Sequence, residues 1–159
     1  MRDDHALLLR GEMKEKAEAV ASCCLTVEQW AEDALAAATG DTVIGTAGGP
    51  SKILLHGHCH QKALVGTGPA TSLLSRIPGC EVVDADAGCC GMAGSFGYER
   101  EHYDVSKAVG ERKLFPTIRK RETGTAVVAP GYSCRQQIKH FTDVDAVSAV
   151  QLIEPLVKE

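Results

Sequence analysis

Three short apolar runs, Ile53–Leu55, Val82–Val83 and Ala126–Ala129, constrain the fold more than anything else in the chain. Each is brief and without an internal polar residue, the pattern of strands covered on both faces of a parallel sheet. Helical stretches separate them. One runs from Pro69 to Pro78–Gly79. Another runs from about Glu99 to Arg121, with Val105, Val109 and Leu114 facing inward and a break at Pro116. A third begins near Ser133, and a last covers Ser148–Val157 after a very short strand at Asp145–Val147. Strands alternating with helices require crossover connections. The expected fold class is therefore α/β: a Rossmann-like parallel sheet of about four short strands with flanking helices.

The first third reads differently. Met13, Ala17, Val20 and Cys24 fall on one helical stripe. Thr26 and Gln29 have capping-box spacing, and Val27, Trp30, Ala34, Leu35 and Ala38 form the apolar face of the helix that follows. Gly40 is its expected stop, and Gly45 to Ser51 reads as a linker. Residues 1–159 are thus expected to form a single domain. Residues 1–49 are its helical lead-in and 50–159 its cysteine-rich α/β unit.

Composition excludes several classes. The net charge is −4, Arg119–Lys120–Arg121 is the one basic run, and aromatic residues make up 4% of the chain. Neither an electrostatic footprint for nucleic acid nor a base-stacking platform is expected. No stretch approaches the ~20 apolar residues of a membrane span, and Ala6–Leu9 is too brief for a signal-peptide core. The expected location is cytoplasmic, with any membrane association peripheral and through partners. Seven cysteines, two pairs of them vicinal, do not resemble a secreted disulfide framework. In a reducing compartment such thiols point to metal or redox chemistry.

Their placement is the informative part. Cys59 lies just beyond the first strand, Cys89 and Cys90 beyond the second, and Cys134 beyond the third. All carboxyl ends of an open parallel sheet share one edge, where ligands bind. Topology alone brings these four thiols together, each expected near a following helix N-terminus whose partial positive charge favours thiolates. Glycines recur at Gly88, Gly91, Gly94 and Gly97, so backbone N–H groups can point at sulfur. His56, His58 and His60 flank Cys59 as further candidate ligands or proton carriers. Cys23, Cys24 and Cys80 read as core residues.

Four thiolates suit an iron–sulfur cluster or, as the alternative, a Cys₄ zinc site serving structure or interaction without redox activity. Nucleophilic thiol chemistry is the third reading. His58–Cys59 begins like the H-C-x₅-R phosphate loop, but Val65 stands where the arginine belongs.

The segments His58-Cys59-His60-Gln61-Lys62, Gly88-Cys89-Cys90-Gly91-Met92-Ala93-Gly94-Ser95-Phe96-Gly97-Tyr98-Glu99 and Gly131-Tyr132-Ser133-Cys134-Arg135 closely resemble the cysteine-rich CCG domain family. That family includes the iron–sulfur subunit of glycolate oxidase, FAD-linked 2-hydroxyacid dehydrogenases and a component of heterodisulfide reductase. The resemblance runs from about residue 52 onward. It implies an electron-transfer module of a flavin-linked 2-hydroxyacid (glycolate or D-lactate type) oxidoreductase, a component rather than a catalyst on its own. It carries over Cys59, Cys89, Cys90 and Cys134 as ligands of a 4Fe–4S type cluster. A flavin-containing dehydrogenase subunit and an upstream CCG or ferredoxin-like unit are the implied partners. Gln137 occupies the position of the last thiol in the family's closing Cys-x-x-Cys, so Gln137, with His58 and His60, is a further candidate donor. The chain is expected to be a C-terminal piece or a split subunit.

Overall fold

A computed structural model describes residues 4–37 and 48–156. Two helices, α1 (Asp4–Leu8) and α2 (Gly11–Cys23), open it and pack on each other. The expected stripe of α2 is left uncovered: Met13 and Val20 are exposed, and the helix buries no residue.

Helix α3 (Val27–Ala37) begins on the expected capping box. Gln29 N–H donates to Thr26 Oγ1 at 3.2 Å and Thr26 N–H to Gln29 Oε1 at 3.1 Å. Its inward face differs from the expectation. Glu28 is buried and Ala31 and Leu35 pack into the core, while Val27 and Trp30 are exposed. The cause is lateral. Arg76, just after α5 (Gly68–Ser75), grips Glu32 through two nitrogens at 2.7 and 2.9 Å, and Ser72 Oγ donates to the same carboxylate at 2.8 Å. That clamp turns the 28–31–32–35 face toward α5, and Trp30 swings outward. Ala38, Gly40 and the first part of the expected linker lie outside the described residues.

The sheet is parallel, in the order β2–β1–β3, with β1 at Lys52–Leu55, β2 at Glu81–Asp84 and β3 at Ala126–Val128. Ile53 pairs with Val82 and Ala126, and Leu55 with Asp84 and Val128. The fourth strand, expected at Asp145–Val147, is reduced to one parallel bridge between Val147 and Val128. Three strands and a bridge therefore replace the four expected.

Alternation along the strands divides the interior into two cores. Leu54 and Val127 face one cluster with Leu114, Phe115, Ile118 and Ile138. Ile53, Leu55 and Val128 face the other, with Leu73, Leu74, Ile77 and Ile153. Short α4 (Cys59–Leu64) and α5 link β1 to β2, and α6 (Tyr103–Glu111) and α7 (Leu114–Arg119) link β2 to β3. Helices α8 (Tyr132–Thr142) and α9 (Ala149–Ile153) follow β3, the latter on a capping box of Ser148 and Gln151.

The expected helix at 99–121 is therefore two helices, parted at residues 112–113 rather than at Pro116. Helix α6 buries its small residues, Ser106 and Gly110, and leaves Val105 exposed. A Cβ on Gly110 would stand 2.2 Å from the Phe115 ring, which fills that groove. Arg119, in the basic run, is anchored at the end of α7. It holds Glu111 through two nitrogens at 2.8 Å each and donates to the Phe141 carbonyl. No described helix is long and apolar enough to cross a membrane.

Candidate metal centre

The order β2–β1–β3 places a topological switch between β1 and β3, the crevice where an open parallel sheet takes its ligand. His56 N–H donates to the Val128 carbonyl across that crevice at 2.8 Å. Cys59 is the first residue of α4, Cys134 lies in the first turn of α8, and Cys89 and Cys90 follow β2 in a loop. Cys90 and Cys134 are 4% and 1% exposed, Cys89 is half-buried and Cys59 is exposed. The centre has a dry side and an open side.

Cys134 lies in the fields of the other three thiols. The Cys134 thiol is raised far above its ordinary range, first by the hydrogen bond it shares with Cys90, then by burial and by the fields of Cys90, Cys59 and Cys89. Cys90 moves the opposite way. Cys134 donates to it, and His56 and the Met92 backbone amide add to the pull against burial. Within this pair negative charge is favoured on Cys90, with Cys134 donating. Burial pushes Cys89 up, and the Gly91 amide, 3.3 Å from its Sγ, opposes this.

The thiols reach this arrangement by different local routes. Cys59 and Cys134 begin helices, as expected. Cys89 and Cys90 do not, because Gly91 (φ +97°) and Ala93 (φ +40°) turn the chain out of helical conformation. Amides at 91, 92 and 93 converge on the two sulfurs instead, a backbone nest in place of a helix end. Gly91 is obligatory here: a Cβ would stand 2.0 Å from the Ser106 carbonyl oxygen. Gly131 is also tight, its missing Cβ lying 2.6 Å from His58 Cδ2 and 3.1 Å from Cys134 Sγ.

His58 caps α4 half-buried, and burial lowers its pKa against the opposing field of Cys90. His60 is exposed on α4. Gln137 is buried on α8, where its amide donates to Ser106 Oγ at 2.7 Å. Cys23 is exposed, contrary to the core reading, while Cys24 and Cys80 are half-buried. Cys80 packs against the second core.

Sequence reasoning missed Ser106, which supports Gly91 and receives Gln137. Its signal was the small pair Ser106/Gly110 at helical spacing. It also missed the cleft beside Cys89, lined by Arg112, Lys113, Leu114, Val109 and Gly88. Lys113 pairs with Asp86 at 2.7 Å, and Lys62 Nζ donates to the Ala87 carbonyl.

Among the described residues no three His, Cys, Asp or Glu side chains gather closely enough to hold one metal ion. The donor chemistry nonetheless fits a thiolate-bound centre: four soft ligands on one sheet edge, amides aimed at sulfur, and a buried imidazole, His56, whose ring nitrogens lack hydrogen-bond partners.

Comparison with known proteins agrees with an oxidoreductase setting. The chain is 33% identical over 106 residues to one subunit of the anaerobic glycerol-3-phosphate dehydrogenase of Escherichia coli, covering 65% of this chain and 26% of that protein. It is 28% identical over 162 aligned positions to D-2-hydroxyglutarate dehydrogenase of Escherichia coli, 99% of this chain and 14% of the relative. The Pantoea ananatis D-2-hydroxyglutarate dehydrogenase is 32% identical over 117 residues, 72% of this chain and 11% of the relative. The chain thus spans about a quarter or less of the length of these relatives. No family model and no solved structure matches.

Proposed function

We propose that the chain is an iron–sulfur electron-transfer module of a dehydrogenase, with Cys59, Cys89, Cys90 and Cys134 as the ligands of a 4Fe–4S type cluster. The observation that carries this is the delivery of four thiols to one sheet edge by the carboxyl ends of three parallel strands. When bound, such a centre passes single electrons.

The chain's own residues prepare the site. Cys134 and the Met92 amide favour negative charge on Cys90, and the amides of Gly91 and Ala93 favour it on Cys89. Leu54, Met92 and Ile138 keep water from the Cys90–Cys134 side. Cys59 and Cys89 face the solvent side, and beside Cys89 Arg112 supplies positive charge to a docking partner of opposite sign.

The partner in this reading is a flavin-containing dehydrogenase subunit or domain that oxidises a small hydroxylated acid, with a further CCG or ferredoxin-like unit upstream. The relatives named for D-2-hydroxyglutarate support a 2-hydroxy acid. The glycerol-3-phosphate dehydrogenase relative is itself one subunit of a larger enzyme, which supports a component role. Through such partners the module sits peripherally at a membrane.

Iron and acid-labile sulfide are measured on anaerobically purified, reconstituted protein. About four of each per chain is expected, with a visible absorption band that bleaches with dithionite. One zinc per chain, indifferent to reductant, would overturn the proposal in favour of a Cys₄ structural module. So would protein that takes up neither metal.

A further inference from the structure

A second cleft lies where the residues following β1 and β3 meet the first turn of α3 and the start of α9. Its volume is about 300 Å³, the small end of the range for ligand pockets, with room for a side chain rather than a cofactor. Two of its lining residues are polar and unanswered. Glu28 is 3% exposed, and among the described residues no ion pair or hydrogen bond reaches its carboxylate. The amide of Gln61 is buried at both Nε2 and Oε1, and neither atom has a partner. Interiors rarely leave such groups unmade, and a buried charge without a counter-charge is the more costly of the two. Glu28 stands in the first turn of α3, where the helix dipole favours an anion. That explains why the charge is tolerated there, but not why it lines a cleft together with an unpaired amide.

The walls are of another kind. Val27, Pro130 and Val150 line them, and Val27 and Val150 are exposed. Trp30, one turn along α3 from Val27, is 62% exposed and extends the apolar surface beyond the cleft. Apolar surroundings that exclude water are what make a central charged contact strong.

We propose that this cleft receives an arginine side chain, presented by a partner polypeptide that carries apolar residues on either side of it. A guanidinium is planar with five donors, so it can pair with both Glu28 oxygens and still reach Gln61 Oε1. Its methylene stem lies along Val27, Pro130 and Val150. Lysine fits less well, being a compact and strongly hydrated point charge. The occupant is a polypeptide because Trp30 lies outside the cleft, where a small guanidinium compound would leave it bare. The relatives carry about three quarters or more of their length outside the matched region, so further polypeptide accompanies the unit in them. The contact needs neither metal nor cluster, and it stands or falls apart from the iron–sulfur reading.

The test titrates the full, metal-free 159-residue chain with an N-acetylated, C-amidated Leu-Arg-Leu peptide, followed by ¹H–¹⁵N correlation spectra. The Gln61 side-chain amide and the Val27 and Val150 backbone signals are expected to move, with an affinity on the order of millimolar for so short a probe. The citrulline counterpart keeps the shape and loses the charge, and should bind about tenfold more weakly. Glu28→Gln should weaken the arginine peptide by about the same factor. Glu18→Gln, at an exposed position, should bind as the unmodified chain does. Glu28→Gln should also melt no lower than the unmodified chain, because it removes a buried charge that has no partner.

No movement at Gln61, or equal binding of the citrulline peptide, overturns the proposal. So does blocked arginine alone binding as tightly as the tripeptide, which would make the cleft a small-molecule site. A chain that dimerises, and whose Glu28→Gln form is monomeric, would make the occupant a second copy instead. A lower melting point in Glu28→Gln would give the carboxylate a structural role and likewise overturn the assignment.

Discussion

The side-chain amide of Gln137 on α8 donates to Ser106 Oγ on α6 at 2.7 Å, and both residues are buried. Ser106 in turn lies against Gly91 and Gly97, where added Cβ atoms would stand 2.0 Å from its carbonyl oxygen and 2.7 Å from its hydroxyl. One polar bond therefore joins the helix that carries Cys134 to the helix packed against the loop that carries Cys89 and Cys90. Gln137→Leu leaves the Ser106 hydroxyl without this partner and is expected to cost about 1–3 kcal/mol. Ser106→Ala added to it should cost less than the sum of the singles, since the two remove the same bond. Urea unfolding of the three variants measures this, and strict additivity would contradict it.

Glycines of the loop divide by what surrounds them. Gly91→Ala meets both a left-handed backbone and the Ser106 carbonyl, and is expected to destabilise by about 2–4 kcal/mol. Gly94 is also left-handed, at φ +69°, but nothing stands within 4 Å of its missing Cβ. Gly94→Ala should cost only about 1–2 kcal/mol. Thermal melts of the two variants side by side decide it, and equal losses would refute the steric argument.

Serine substitution separates ligand from bystander cysteines. Cys59, Cys89, Cys90 and Cys134, changed one at a time, are each expected to lower bound iron after reconstitution. Cys23→Ser, at an exposed position, should bind as much as the unmodified chain. Cys59→Ser is the most informative of the set, because its exposed side chain contributes least to folding. A Cys59→Ser protein with full iron content would remove it from the ligand set.

Acid stability has an identifiable contributor in the clamp between α3 and α5. Arg76 hydrogen-bonds Glu32 and, with Ser72, holds its carboxyl below the usual range. A depressed folded pKa adds stability that is complete above the unfolded pKa and is lost as pH falls through the folded one. Glu32→Gln should therefore be less stable than the unmodified chain at neutral pH. The gap should close in acid, below the ordinary glutamate range. Denaturation midpoints recorded across that interval test it, and a constant gap would exclude the pair as its source.

Most of what positions the thiols was legible in the residues. Ile53–Leu55, Val82–Val83 and Ala126–Val128 are strands because uninterrupted apolar runs of this length suit a doubly covered parallel sheet, and their carboxyl ends carry the cysteines. The errors arose where a helix chose its face by a partner far away in sequence. Trp30 points outward because Glu32 answers Arg76, 44 residues on. Val105 is exposed because Phe115 needs the groove over Gly110. Hydrophobicity at helical spacing names apolar residues, not the side that meets another element. Ser106 and Gln137 escaped for a related reason: a buried polar pair looks like surface until its two halves are seen together.

The division of the interior by the sheet separates risk. Cys90 and Cys134 belong to the core that contains Phe115 and Ile138, while Leu73, Leu74 and Ile153 fill the opposite one. A substitution in the second core reaches Cys90 and Cys134 through the strands. That half of the molecule can drift, or be redesigned for robustness, with the Cys90–Cys134 side insulated from the change.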